Sequence, residues 1–299
     1  MTQFTQLLCP VDFSDPSIRA LAYAARLAGW YQAALEVLHV VPAFEDDMAA
    51  SSDVTGPWSP LASRPMVMAE LERCVAAAGG GGAPPEIVAP AGRPHDVLTA
   101  RARALPADLI VMGTHGRGGF NRVLLGSVTE KVLRSVSCPV LTVPPSASPT
   151  VAADIHFRGI LCAVDYSPSA LKALQYALDL ARQTGGCLTV LYALEYMDPE
   201  EPCEHVDFDI RRRRQHFLDH ARARLHMQLE QEPLHGCELR ELIVIDRAYR
   251  AILKEAAESA ADLIVMGAQG TGGLELMLYG SNTQHVVRAA SCPVLTVHA

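Results

Sequence analysis

The feature that most constrains this chain is that it contains one pattern twice. The heptapeptide Ala107-Asp-Leu-Ile-Val-Met-Gly113 recurs unchanged as Ala261-Asp-Leu-Ile-Val-Met-Gly267. Ser137-Cys-Pro-Val-Leu-Thr-Val143 recurs unchanged as Ser291-Cys-Pro-Val-Leu-Thr-Val297, and both offsets are 154 residues. Near the start of each copy, Cys9-Pro-Val-Asp12-Phe-Ser14 answers Cys162-Ala-Val-Asp165-Tyr-Ser167 at an offset of 153. A nearly constant offset means two whole copies rather than scattered motifs. Two domains are therefore expected, over residues 1–145 and 155–299, joined by Pro144-Pro-Ser-Ala-Ser-Pro-Thr150, whose composition is that of a linker.

Within each copy short apolar runs alternate with helical patterns. In copy one the strands are expected at Leu7–Val11, Ala34–Val41, Glu86–Ala89, Asp108–Met112 and Val140–Val143. Helices are expected at Pro16–Gly29, Pro65–Ala78, Pro94–Leu105 and Ser127–Ser135. The strand candidates are apolar on both faces, as in a parallel sheet covered by helices on both sides. The alternation predicts an α/β fold with right-handed crossovers, a doubly wound parallel sheet in each copy. Ala43–Ser63 shows no pattern and reads as a mobile stretch or a lid, with Met197–Asp207 in its place in copy two.

Composition narrows the function. Hydrophobic residues make up 49% and charged residues 19%, enough to bury a sizeable core. With 25 cations against 33 anions the net charge is −8, which argues against nucleic acid or an anionic membrane surface as partner. No apolar run is long enough to span a bilayer, and the first residues lack a basic start with a long apolar core. The eight cysteines form no CxxC pair and fit reduced thiols packed as small hydrophobes, Cys9/Cys162 and Cys138/Cys292 recurring beside strands. A soluble, cytoplasmic protein is expected.

The chemistry gathers at the glycines. Gly113-Thr-His-Gly116, nine residues, then Gly126-Ser127 is matched by Gly267-Ala-Gln-Gly270, nine residues, then Gly280-Ser281. Glycines at a strand end let backbone approach a ligand, and a helix opening on Gly-Ser offers free N–H groups and a dipole to an anion. Asp12 and Asp165 end the first strand of each copy, where a carboxylate can accept from the polar edge of a nucleotide. A structural reading stands beside this. Ser127-Val-Thr-Glu130 and Ser281-Asn-Thr-Gln284 are both capping-box sequences, and Asp12 and Asp165 precede helix-start residues. Capping requires no glycines at this doubled spacing, so ligand binding is the better reading.

At these residues the chain resembles the universal stress proteins in their tandem, two-domain form. The resemblance rests on the Val-Asp-Phe-Ser and Val-Asp-Tyr-Ser openings, the doubled Gly-x2-Gly-x9-Gly-Ser element and the Ser-Cys-Pro-Val-Leu-Thr-Val endings. That element is the signature of the family's ATP-binding branch. The resemblance implies a five-stranded, Rossmann-like sheet per copy in 3-2-1-4-5 order, with adenine near Asp12 and Val40. Ribose and phosphates would lie along Gly113, Gly116, Gly126, Ser127 and Val128. Copy two offers Asp165, Ala193, Gly267, Gly270, Gly280, Ser281 and Asn282, with Ala193 trimming one apolar contact. It also implies that the two copies pair through their last strands, Val140–Val143 and Val294–Val297, with a homodimer as a further step and the protein partner unknown.

The expected function is that of an ATP-binding stress or regulatory module, with Mg²⁺ accompanying the nucleotide. The alternatives are a slow ATPase or phosphotransfer enzyme, and a nucleotide-free module whose Gly-Ser elements only cap helices. No Walker loop, nucleophile elbow or metalloprotease helix appears, and no glycine loop holds a lysine, so binding is better supported than turnover. Copy one is expected to bind more tightly, because Arg117 and Arg122 lie in its nine-residue loop where copy two has Glu275 and no cation. His115, inside the first glycine loop, is Gln269 in copy two and supports no shared chemistry. His216 and His220, four apart with Cys203 and His205 upstream, fit an exposed helical face better than zinc, and Arg211–Arg214 a solvated one.

Overall fold

The structure is a computed structural model that describes residues 3–42, 64–79, 82–116, 125–147, 157–195, 208–230, 237–270 and 280–299. The chain divides into two compact units, Gln3–Ile155 and His156–Ala299. Each contains the expected α/β alternation.

The first unit runs β1 (Gln6–Pro10), α1 (Asp15–Tyr31), β2 (Ala34–Leu38), β3 (Val41–Pro42), α2 (Arg64–Ala78), β4 (Glu86–Val88), β5 (Ala91–Gly92), α3 (Pro94–Ala104), β6 (Leu109–Gly113), α4 (Ser127–Ser135) and β7 (Val140–Val143). Its main sheet is parallel, in the order β4-β2-β1-β6-β7, the 3-2-1-4-5 order implied by the resemblance. The second unit runs β8 (Gly159–Val164), α5 (Pro168–Thr184), β9 (Cys187–Leu194), α6 (Phe208–Glu230), β10 (Glu238–Ile245), α7 (Ala248–Glu258), β11 (Leu263–Gly267), α8 (Ser281–Ala289) and β12 (Val294–Val297). Its order, β10-β9-β8-β11-β12, is the same.

The repeated heptapeptide shows why. β6 and β11 are buried at every position, so only two-sided burial suits them. The Asp that precedes each clasps the sheet. Asp108 accepts from the backbone and hydroxyl of Thr5, both at 2.7 Å, and Asp262 accepts from Arg158 N–H at 2.8 Å. Each carboxylate thus ties the start of the fourth strand to the start of the first. The alanine-rich faces of α1 and α5, including Ala20, Ala24, Ala173 and Ala177, are fully buried.

One expected strand differs. Ala34–Val41 was expected as one run, but the chain breaks at His39 and Val40 into β2 and β3. The cause is Pro90. His39 N–H donates to Val88 O at 3.0 Å and Val41 N–H to Pro90 O at 2.9 Å. The intervening parallel-ladder bond would be donated by residue 90, and proline has no N–H. The copy-two counterpart is Val244, and there β9 and β10 pair without a break from Cys187↔Glu238 to Leu194↔Ile245.

The cysteines that recur beside strands behave as packed hydrophobes. Cys9 and Cys162 are fully buried, and burial pushes the thiols of Cys138 and Cys292 up to about 11 and about 12. Such thiols hold little thiolate at neutral pH. The linker's beginning is docked on the first unit: Arg19 donates to Ala147 O at 3.0 Å, and Ala147 is buried.

Candidate functional site

In both units β1/β8 and β6/β11 lie side by side, so Asp12 and Asp165 stand next to the glycine turns at the carboxyl edge of the sheet. The structure brings them together closely. A Cβ placed on Gly116 would sit 2.5 Å from Asp12 Oδ2, and one on Gly270 2.6 Å from Asp165 Oδ2. A side chain there would force the carboxylate to turn away.

Each aspartate takes up the helix-entry role that the sequence offered. Asp12 Oδ1 accepts from Ser14 N–H at 3.0 Å and from its hydroxyl at 2.5 Å, and Asp165 Oδ1 accepts from Ser167 N–H at 3.0 Å. These bonds close a turn into α1 and α5, while Oδ2 turns toward the glycine loop. The turn forces the following residue into the left-handed region: Phe13 has φ 63° and Tyr166 φ 63°. For a bulky aromatic this conformation is strained, and its repetition in both units marks a constrained site.

Gly113 and Gly267 also have a packing reason. A Cβ on Gly113 would lie 2.9 Å from the Pro16 carbonyl carbon, and one on Gly267 2.7 Å from Ala170 N. These glycines admit the start of a helix against the strand end, a packing requirement of their own. The helix N-termini are a second case. α4 begins at Ser127 with Gly126 as its cap, and α8 at Ser281 with Gly280. Neither cap makes a side-chain hydrogen bond, so the capping boxes read in the sequence do not form. The serines sit one position too far inside. Thr129 and Thr283 instead donate to Gly113 O and Gly267 O, each at 2.9 Å, and lash the helix to the strand end. Gly126 N–H closes on Thr114 O and Gly280 N–H on Ala268 O, both at 2.8 Å. The result is a twinned cradle of first-turn N–H groups at the positive end of a helix dipole.

The rims differ. In the first unit the Phe13 ring lies 4.6 Å from that of His39, whose Nδ1 is 2.7 Å from Val11 O. Val40 is buried just beyond β2. In the second unit Tyr166 meets Tyr192 edge-on at 5.1 Å, and the Arg224 guanidinium of α6 lies 3.7 Å over the Tyr166 ring. Burial pushes the Tyr166 hydroxyl up to about 12. Ala193 lies half-buried within β9. His115 is half-buried, its Nδ1 2.8 Å from Thr114 Oγ1, and burial lowers its pKa so that the ring favours the neutral form. Its counterpart Gln269 offers a main-chain carbonyl that accepts from Ser167 Oγ at 3.1 Å and from Ser169 Oγ.

Val128 and Asn282 hold the second position of α4 and α8. The Asn282 amide donates to Glu195 Oε1 at 3.4 Å, and the same oxygen accepts from Ala248 N–H at 2.7 Å. Sequence reading missed Glu195, whose counterpart 153 residues earlier is Pro42. It also missed the aromatic pairs, which the repeat offset would have aligned. Arg117, Arg122 and Glu275, and with them the expected inequality of the phosphate loops, lie outside the described residues, as do Ala43–Ser63, Met197–Asp207, Cys203 and His205. His216 and His220 are exposed on α6, and among the described residues no group of three metal-ligating side chains forms. No described helix is long and apolar enough to cross a membrane.

A doubly wound sheet with a cradle at its carboxyl edge defines a broad class of α/β binding folds. The narrower assignment comes from comparison. The profile of the Universal stress protein family matches residues 3–144 and again 156–298, and the chain belongs to that family. It is 31% identical over 191 residues to a universal stress protein of Mycobacterium tuberculosis (strain ATCC 25618 / H37Rv), a match covering 63% of this chain and 61% of that one. The chain therefore spans about three fifths of the length of that curated relative. A universal stress protein of Mycolicibacterium smegmatis is 26% identical over 305 residues, 97% of this chain and 96% of its own. The crystal structure of a universal stress protein from Archaeoglobus fulgidus DSM 4304 superposes with a TM-score of 0.71 at 25% identity, over 99% of both chains.

Proposed function

We propose that each unit binds an adenine nucleotide, ATP in the first, along Asp12, Val40, Gly116, Arg117, Gly126, Ser127 and Val128. The second unit uses Asp165, Ala193, Gly270, Gly280, Ser281 and Asn282 in the same way. Bound nucleotide would set the state of a stress-response or regulatory module. The observation that carries this reading is the pair of glycine-capped helices. Both cradles leave first-turn N–H groups without a capping side chain, and both face a carboxylate turned toward the loop. A side-chain cap at that position would add a few tenths of a kcal/mol over glycine, which both copies forgo. Phosphate is the group such a cradle suits, and the carboxylate suits the hydrogen-bond donors of a base or ribose. Mg²⁺ would arrive with the phosphates, since Mg²⁺ is commonly held by one or two carboxylates, water and substrate phosphate together.

The test uses Ser127→Asp and Ser281→Asp in the full chain. A carboxylate in the first turn favours the helix dipole by about 0.3–1 kcal/mol and repels a bound anion. The expected outcome is that calorimetry detects ATP on the wild-type protein and none on the double variant, while the melting temperature holds or rises. Wild-type protein that takes up no nucleotide, with or without Mg²⁺, ends this reading.

A further inference from the structure

Three aligned positions change together between the two cradles. In the first unit they are Pro42, Pro94 and Val128; in the second they are Glu195, Ala248 and Asn282. Pro94 opens α3 without an N–H, so the first unit has nothing there to satisfy. Ala248 opens α7 with an N–H, and Glu195 Oε1 accepts it at 2.7 Å while also receiving the Asn282 amide at 3.4 Å. The second cradle thus has an exposed carboxylate hydrogen-bonded beside the first turn of α8, where the aligned residues of the first unit are proline and valine.

We propose that Glu195 is a specificity-determining residue of the second unit, selecting a nucleotide of low negative charge, a nucleoside monophosphate, against the triphosphate. The proposal rests on the nucleotide reading above. A carboxylate within reach of Asn282 repels further phosphates beside the same helix turn, and the repulsion grows with each one. A monophosphate can use the N–H groups of Ser281 and its neighbours without extending past them. In the first unit no such charge stands at the aligned positions, so the triphosphate is not selected against there.

Full-length variants separate the two sites. Ser127→Asp closes the first cradle and leaves the second to be measured; Ser281→Asp does the reverse. Calorimetry with AMP and with ATP, in EDTA and again in Mg²⁺, is the measurement. The Ser127→Asp protein is expected to bind AMP at least tenfold tighter than ATP, and the Ser281→Asp protein to bind ATP at least as tightly as AMP. Adding Glu195→Gln to Ser127→Asp keeps the acceptor for Ala248 N–H and removes the charge. It should strengthen ATP binding about tenfold, which is about 1.4 kcal/mol, and change AMP binding less than threefold. The gain should shrink as salt rises. The proposal is overturned if the Ser127→Asp protein holds ATP as tightly as AMP, if Glu195→Gln leaves ATP binding unchanged, or if it weakens Mg²⁺-ATP. In those cases nucleotide binding itself stands. A complete absence of AMP and ATP binding in every protein, wild type included, defeats the nucleotide reading and this proposal with it.

Discussion

The two units share a frame and differ at the same structural positions by substitutions that come in sets. The shared part is what the sheet and cradle need: Asp12/Asp165 against Gly116/Gly270, Thr129/Thr283 on the strand-end carbonyl, and glycine at both helix caps. The differing part includes a strand–helix ion pair, buried on its acid side, whose charges change places. In the first unit Glu36, on β2 and 1% exposed, takes the Arg101 guanidinium of α3 through three bonds, with Glu86 of β4 at 3.8 Å. In the second, the helix carries the acid: Glu255 of α7 receives Arg240 of β10 at 3.2 Å, and the β9 position holds Thr189. A helix from one copy docked on the other copy's sheet would set like charges together. Near-identical strands would otherwise offer two partners of similar quality, and the swapped charges make the wrong pairing costly.

The largest expected effect tests this pair. Arg101→Met leaves the Glu36 carboxylate buried without its partner and should destabilise the first unit by about 3–5 kcal/mol at neutral pH. Arg240→Met should cost about 1 kcal/mol or less, because Arg240 is 56% exposed and Glu255 meets water at one edge. Pairing favours the charged forms, and the Glu36 hydrogen bond raises the Arg101 pKa. Denaturant melts of both variants at pH 7 check it. Equal losses in the two units would break the comparison.

The second test separates glycines that the sequence presents as alike. Gly113→Ala and Gly267→Ala push a Cβ to within 3.0 Å of helix-start atoms, which must move, and should destabilise by about 1–3 kcal/mol. Gly116→Ala and Gly270→Ala meet instead a carboxylate oxygen at 2.5 and 2.6 Å, which can rotate at a smaller cost to stability. Those two should weaken nucleotide binding while the melting curve barely shifts. If Gly113→Ala loses ligand and keeps its stability, the strand-end glycines belong to the site and not to the packing.

These cases show what the sequence could carry. Repeat spacing, two-sided apolar runs and strand-end aspartates are local or periodic signals, and they led correctly to the α/β alternation of both units, the short β3–β5 pair aside. The roles of Ser127 and Ser281 were not legible, because a capping box depends on where the helix starts to within one residue. Gly113 reads like Gly116 until Pro16 is seen beneath it. Glu195 and Asn282 lie 87 residues apart, and Glu36 and Arg101 lie 65 apart, so only the folded sheet edge or helix face reveals them. The repeat offset holds one further signal, since aligned positions that change in sets mark side chains that meet.

The smallest expected effect concerns the break between β2 and β3, beside which His39 meets Phe13. In the second unit the equivalent ladder runs unbroken for eight residues, and Tyr192 sits inside it rather than at a gap. Pro90→Val restores the donor that residue 90 lacks, aimed at His39 O between the existing bonds to Val88 O and from Val41 N–H. The new bond is worth about 1 kcal/mol, and the lost proline gives back about 0.4–1 kcal/mol through the freer unfolded chain. Net stability should therefore change by less than about 1 kcal/mol. The readable consequence is local: the amide introduced at position 90 should exchange with solvent slowly, like those of its paired neighbours. His39, held from both sides, should then leave its Val11 O contact less often, which amide exchange at Val41 would report as added protection. Fast exchange of the new amide would mean that the break is imposed by the Phe13 turn and the histidine ring, and the two units would then differ at the aromatic pair first and at the proline only as a consequence.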